Sequence, residues 1–196
     1  MNRTAKINRN TKETQIDLEL NIDGSGKSNI STTIRFLDHM LELFTKHGAF
    51  DLKIIAKGDT DVDQHHLVED IGIVLGQAFK EALGDKKGIN RAGYFVMPMD
   101  ECIVITAIDI SGRPFLKFEV PFRELKIGDL SSELIQDFFE GFSNNLACNL
   151  HLILPYGRTD HHRSEATFKS FARALRMACS FDSSMKDQIP STKGLI

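Results

Sequence analysis

Cysteine is scarce in this chain and scattered. Cys102, Cys148 and Cys179 are its only three, and no C-x-x-C spacing occurs among them. An odd, dispersed set excludes a disulfide framework and a thiolate zinc site, and reduced thiols fit a cytoplasmic protein. Charge of one sign is also lacking. A net charge of −3 offers no broad basic surface to a nucleic acid, although a few local cations can still hold a small anion. No apolar run reaches the roughly 20 residues that a bilayer crossing needs. Met1 to Asn10 is polar, so no signal peptide is expected. Low-complexity segments are absent. With 41% hydrophobic residues over 196 positions, the chain is long enough for one compact domain or two half-domains around a shared core.

Histidine is what the sequence has. Four of its seven histidines form two pairs, and a carboxylate follows each pair at the same offset. The first reads His65-His66-Leu67-Val68-Glu69 and the second His161-His162-Arg163-Ser164-Glu165. Each pair opens an amphipathic helix. Val68, Ile71, Val74, Leu75, Ala78, Phe79 and Leu83 recur at helical spacing after the first pair. Phe168, Phe171, Ala172, Leu175 and Ala178 do so after the second. Upstream, Phe36 to Phe44 and Leu134 to Phe142 are helix-like. Each is followed by a strand-like run, Phe50 to Ala56 and Asn149 to Leu154. The beginnings of both halves are β-like: Thr14 to Ile22 alternates, Asp23 to Gly26 turns, and Asn29 to Ile34 reads as a return strand. Ala92 to Met97, Cys102 to Ile110 and Pro114 to Val120 are the strands of the second half, with a Ser111-Gly112 turn between the last two.

The chain therefore reads as an internally duplicated α+β fold. Each half carries a mixed or antiparallel sheet and two helices, and the helices pack between the two sheets. The seam falls near Gly88 to Arg91. The halves are residues 1–90 and 91–182, and 183–196 forms a polar, irregular tail containing Pro190.

Imidazole with carboxylate is a metal-ligating combination. Residues four apart share a helix face, while adjacent ones point roughly 100° apart. His65 with Glu69, and His161 with Glu165, can each grip one ion, leaving His66 and His162 to look elsewhere. Crossed ligation would put His39, His66, His161 and Glu165 on one ion. His65, Glu69, Asp137 (the repeat counterpart of His39) and His162 would hold the other. Mixed ligands of this kind suit octahedral manganese better than closed structural zinc. His47 and His151 fall outside the pattern, and for His151 a structural or surface role is expected.

Longer motifs carry a resemblance. They are Arg9 to Thr14, Phe36-Leu37-Asp38-His39-Met40-Leu41, Lys46-His47-Gly48, Gly58-Asp59, and Asp63 to Asp70. They continue through Pro98-Met99-Asp100-Glu101, Asp109 to Pro114, Asp160 to Lys169 and Ser191-Thr192-Lys193-Gly194. In this order and over nearly the whole chain they resemble the imidazoleglycerol-phosphate dehydratase family. The resemblance implies halves like the second domain of ribosomal protein S5. It implies removal of water from imidazole glycerol phosphate to give imidazole acetol phosphate, a step of L-histidine biosynthesis. It further implies a pair of manganese ions per active site, held by His39, His65, His66, Glu69, His161, His162 and Glu165. Asp137 departs from members that carry histidine there. Implied substrate contacts are Glu13, His47, Arg91, Arg113, Lys169, Ser191, Thr192 and Lys193, the cations being phosphate partners. Glu13 is the implied general acid/base. His47 would protonate the leaving hydroxyl or orient the glycerol chain; as a bare residue it is equally a cation at a helix C-terminus. A large homo-oligomer, a 24-mer with active sites at subunit interfaces, is implied as well. The alternatives are a dinuclear metallohydrolase and a non-catalytic metal-binding assembly protein.

Overall fold

The computed structural model describes residues 3–186 and 188–196. In the first half, β1 (Thr4–Asn10), β2 (Thr14–Asn21), β3 (Ser28–Ser31), α1 (Arg35–Gly48), β4 (Asp51–Gly58) and α2 (His65–Leu83) follow in order. The second half repeats them. It has β5 (Ala92–Met99), β6 (Cys102–Asp109) and β7 (Phe115–Glu119), then a small inserted hairpin of β8 (Lys126–Ile127) and β9 (Leu130–Ser131). The helix α3 (Leu134–Leu146), β10 (Asn149–Tyr156) and α4 (Asp160–Cys179) complete it.

The two sheets have the same topology. Their orders are β1-β2-β4-β3 and β5-β6-β10-β7, antiparallel except for the parallel pairs β3–β4 and β7–β10. Two features differ from the sequence expectation. The return strand after the Asp23–Gly26 turn does not run back along β2. It crosses to the far side of β4, and Asp51 Oδ1 fixes the crossing by accepting the backbone N–H groups of Ser25 and Lys27. Likewise β7 pairs with β10 and not with β6. β1, the β8–β9 hairpin and their pairings are also absent from the sequence reading.

Alternation along β2 buries Ile16, Leu18 and Leu20 and leaves the intervening polar residues outside. The buried face of each sheet packs on its own helices, and the helices of the two halves meet between the sheets: α2 lies on α3, and α1 on α4. Phenylalanine fills this middle. Phe44 of α1 stacks on Phe171 of α4 at 5.3 Å, and Phe142 of α3 meets both Phe171 (4.9 Å) and Phe79 of α2 (5.9 Å). All four are fully buried, each contributing roughly 1.5–3 kcal/mol by burial alone. At the α2–α3 crossing the backbones nearly touch. A Cβ on Gly72 would lie 2.2 Å from the Phe138 carbonyl oxygen, and one on Gly141 2.8 Å from that of Glu69. Only glycine permits this approach.

Candidate metal centre

Both histidine pairs sit in the first turn of a capped helix. The Thr159 hydroxyl accepts the His162 N–H at the start of α4, and Asp63 accepts the His65 N–H at the start of α2. The start of α1 is fixed from elsewhere. Asp129, in the turn of the inserted hairpin, accepts the Arg35 and Phe36 N–H groups at 2.8 Å. Buried Asp38 accepts from the backbone and hydroxyl of Thr32. His39, one residue on, is thereby aimed across at α4.

There it meets the second pair. His39 Nε2 and His161 Nε2 both lie 2.9 Å from Glu165 Oε1. These three ligand atoms are all within 4.8 Å of one another, and Phe36 flanks both rings. Lys169 donates to the other carboxylate oxygen at 2.6 Å. Burial alone would raise the Glu165 carboxyl; the bonds from Lys169, His39 and His161 outweigh it and hold it at about 2. The counterpart in the first repeat is looser. His65 Nδ1 is 3.4 Å from Asp137 of α3 and its Nε2 4.0 Å from Glu69. Each triad thus combines a helix of one half with a histidine–glutamate turn of the other.

The expected four-ligand groups do not form within one chain. His66 and His162 point away from both triads, because neighbours on a helix diverge and each ring has a nearer carboxylate. His66 Nδ1 lies 3.1 Å from Asp59, with Glu13 at 4.0 Å. The Asp59 carboxylate raises His66 above its ordinary value. His162 Nδ1 lies 2.9 Å from Glu101, whose carboxyl this bond lowers to about 2. Asp59 and Glu101 are the residues that sequence reasoning passed over. Both stood inside conspicuous motifs, Gly58-Asp59 and Pro98 to Glu101, with no role attached.

Glu13 is exposed in the β1–β2 turn, which Thr11 closes by accepting the N–H groups of Glu13 and Thr14. His47 lies two turns along α1 from His39. Burial, and then the charges of Lys169 and Arg173, lower its pKa from the ordinary histidine value. His151 is a half-buried residue of β10 beside Phe115, in keeping with a surface role.

The expected phosphate partners separate. Lys169 belongs to the Glu165 cluster, against Met99. Arg91 is held at the opposite end of the second sheet, paired through two nitrogens to Asp109 and donating to the Pro190 carbonyl. Arg113 is exposed in the loop after β6, where the chain end passes over Gly112. Ser191, Thr192 and Lys193 follow Pro190 directly. Along the eight residues of β6 this end is about 25 Å from Glu101.

A duplicated α+β sandwich bears a histidine–carboxylate cluster at the head of each repeated helix, a donor combination that could hold a divalent metal. Residues 32–175 match the family model for imidazoleglycerol-phosphate dehydratase. The imidazoleglycerol-phosphate dehydratase of Koribacter versatilis is 58% identical over 194 residues, 99% of this chain and 100% of that protein. That of Citrifermentans bemidjiense is 56% identical over 99% of each chain. The crystal structure of the Staphylococcus aureus enzyme superposes with a TM-score of 0.83 at 38% identity, covering 91% of this chain and 99% of that one. The Pyrococcus furiosus structure does so with 0.84 at 35%, covering 97% and 100%. The chain belongs to the imidazoleglycerol-phosphate dehydratase family and is a hydro-lyase. No helix among the described residues is long and apolar enough to cross a membrane.

Proposed function

We propose that this enzyme removes water from imidazole glycerol phosphate to give imidazole acetol phosphate, in L-histidine biosynthesis, with a pair of manganese ions in each active site. The observation that carries the reading is the group of His39, His161 and Glu165, with His65, Glu69 and Asp137 as its looser counterpart in the first repeat. The donor set fits. Imidazole nitrogens and carboxylate oxygens, partly open to solvent, leave positions for further ligands, as an octahedral ion requires. His66 and His162 are the remaining donors, and they fit ions completed by a second copy of the chain.

Bound manganese would supply Lewis acidity toward the imidazole nitrogens of the substrate. The protein's own groups do the rest. Glu13, on its exposed turn near His66, takes the proton from the glycerol carbon next to the departing hydroxyl. His47, two turns along α1 from His39, orients the glycerol chain or protonates that hydroxyl. Arg91 and Arg113 present guanidinium donors to the phosphate, joined by Lys193 and the hydroxyls of Ser191 and Thr192. Within one chain these groups are too far from Glu101 and His162 for one small substrate to touch both. The distance favours active sites shared between copies in a large homo-oligomer such as a 24-mer.

The test is turnover of metal-stripped protein on imidazole glycerol phosphate, with and without added manganese, following the ketone product. Product that appears only with manganese is expected. Full turnover without metal, or none with metal bound, would refute the reading.

A further inference from the structure

The second histidine of each pair makes the same contact by a different route. Asp59 reaches His66 from the loop between β4 and α2. Glu101 reaches His162 from the β5–β6 turn. These are not equivalent places in the repeat. The counterpart of the Asp59 loop is Gly157-Arg158-Thr159, which has no carboxylate. Asp160, next in line, is committed to the N–H groups of Arg123 and Glu124 and to Arg163. The counterpart of the Glu101 turn carries Glu13, which stays 4.0 Å from His66. Duplication alone would copy one solution twice. Here two unrelated positions deliver a carboxylate to the same ring atom, Nδ1.

That atom matters chemically. An ionised carboxylate only accepts, so the proton of the neutral ring resides on Nδ1 and the Nε2 lone pair is free. Metal-ligating histidines commonly donate their other ring N–H to a carboxylate, which fixes the tautomer and strengthens the ligand. On the opposite side of the His162 ring, Nε2 is 3.9 Å from Asp100, beyond hydrogen-bond distance.

We infer that Asp59 and Glu101 are positioning residues that hold His66 and His162 as Nδ1–H tautomers, each with Nε2 set to ligate manganese. The inference rests on the metal reading of the site. Asp59 gives the clean test, because its carboxylate bonds no other side chain or backbone group among the described residues, whereas Glu101 also accepts from the N–H groups of Arg158 and Thr159.

Manganese affinity is measured by equilibrium dialysis for the wild type, Asp59→Ala and Asp59→Asn, and the melting temperature of each metal-stripped protein is recorded alongside. Asp59→Ala is expected to weaken manganese about 10- to 100-fold, the usual cost of losing such a partner, at an unchanged melting temperature. Asp59→Asn is expected to recover most of the affinity, because the amide oxygen still accepts from Nδ1. Glu101→Gln should behave like Asp59→Asn. Wild-type affinity in Asp59→Ala would overturn the inference, and equal losses in the alanine and asparagine variants would overturn the tautomer argument. A wild type that binds no manganese would overturn the metal reading itself.

Discussion

Replacing Gly72 with alanine sets two effects of opposite sign against each other. Gly72 lies inside α2, where alanine gains about 1 kcal/mol of helix propensity over glycine. Across from it, the new Cβ would sit 2.2 Å from the Phe138 carbonyl oxygen of α3. The obstacle is backbone, so it cannot rotate away, and relief requires the helices to part by about 1 Å at a close-packed crossing. Such overpacking costs typically 1–3 kcal/mol and more when backbone must move. A net destabilisation of about 2 kcal/mol is expected. For a chain of this size that lowers the melting temperature by roughly 4–8 °C. The same displacement carries Asp137, next to Phe138, away from His65, so manganese binding should also weaken. Calorimetry of the metal-stripped protein at fixed concentration reads the first effect, and equilibrium dialysis the second. A Gly72→Ala protein that melts at or above the wild-type temperature would refute the reasoning, since propensity would then outweigh the contact.

Mixing two inactive variants, Glu13→Gln and Arg113→Ala, and reassembling them through metal removal and return should restore part of the activity; no recovery would place both groups in the same site of one chain. In metal-stripped Lys169→Met, the Glu165 carboxyl should rise from about 2 toward its ordinary 4.5. A carboxyl depressed by folding stabilises above its unfolded value and loses that contribution as pH falls through its folded value. The variant should therefore be less stable than the wild type near neutral pH but lose less further stability as pH falls from about 5 to 3, read as a smaller change in urea midpoint. The thiols of Cys148 and Cys179 are pushed by burial to about 12, and burial raises Cys102 as well. Since the thiolate is the reactive form, Ellman's reagent at neutral pH should find no cysteine in the native protein and all three after unfolding.

The elements that were legible in the sequence are those with a strong local period. The α2 and α4 helices announce themselves by apolar spacing behind each histidine pair, and β2 by its alternation. β1 was missed because it is an edge strand, with Ala5 its only buried residue. The crossings of β3 and β7 were hidden for another reason. A turn signal fixes where a chain bends, while the choice of parallel partner depends on contacts far along the sequence, such as Asp51 holding Ser25 and Lys27. At the site, the i, i+4 rule located His65 with Glu69 and His161 with Glu165, and the repeat alignment added His39 and Asp137. It had no means of finding what lies beneath the odd members. Asp59 and Glu101 come to His66 and His162 from turns whose position only the folded sheets define.

Glu165 Oε1 receives His39 from the first half and His161 from the second, and His65 likewise stands between Glu69 of its own half and Asp137 of the other. Exchanging the halves maps one set of residues onto the other, with Glu165 central in one and His65 in the other, which is the isologous arrangement of a twofold dimer. A half-length chain with one H-H-x-x-E sequence and one ligand on its preceding helix would complete both triads by pairing with itself. The present chain has the arrangement of two such protomers joined end to end. Its copies differ, as with His39 against Asp137, and keep the reciprocity that makes each half incomplete alone.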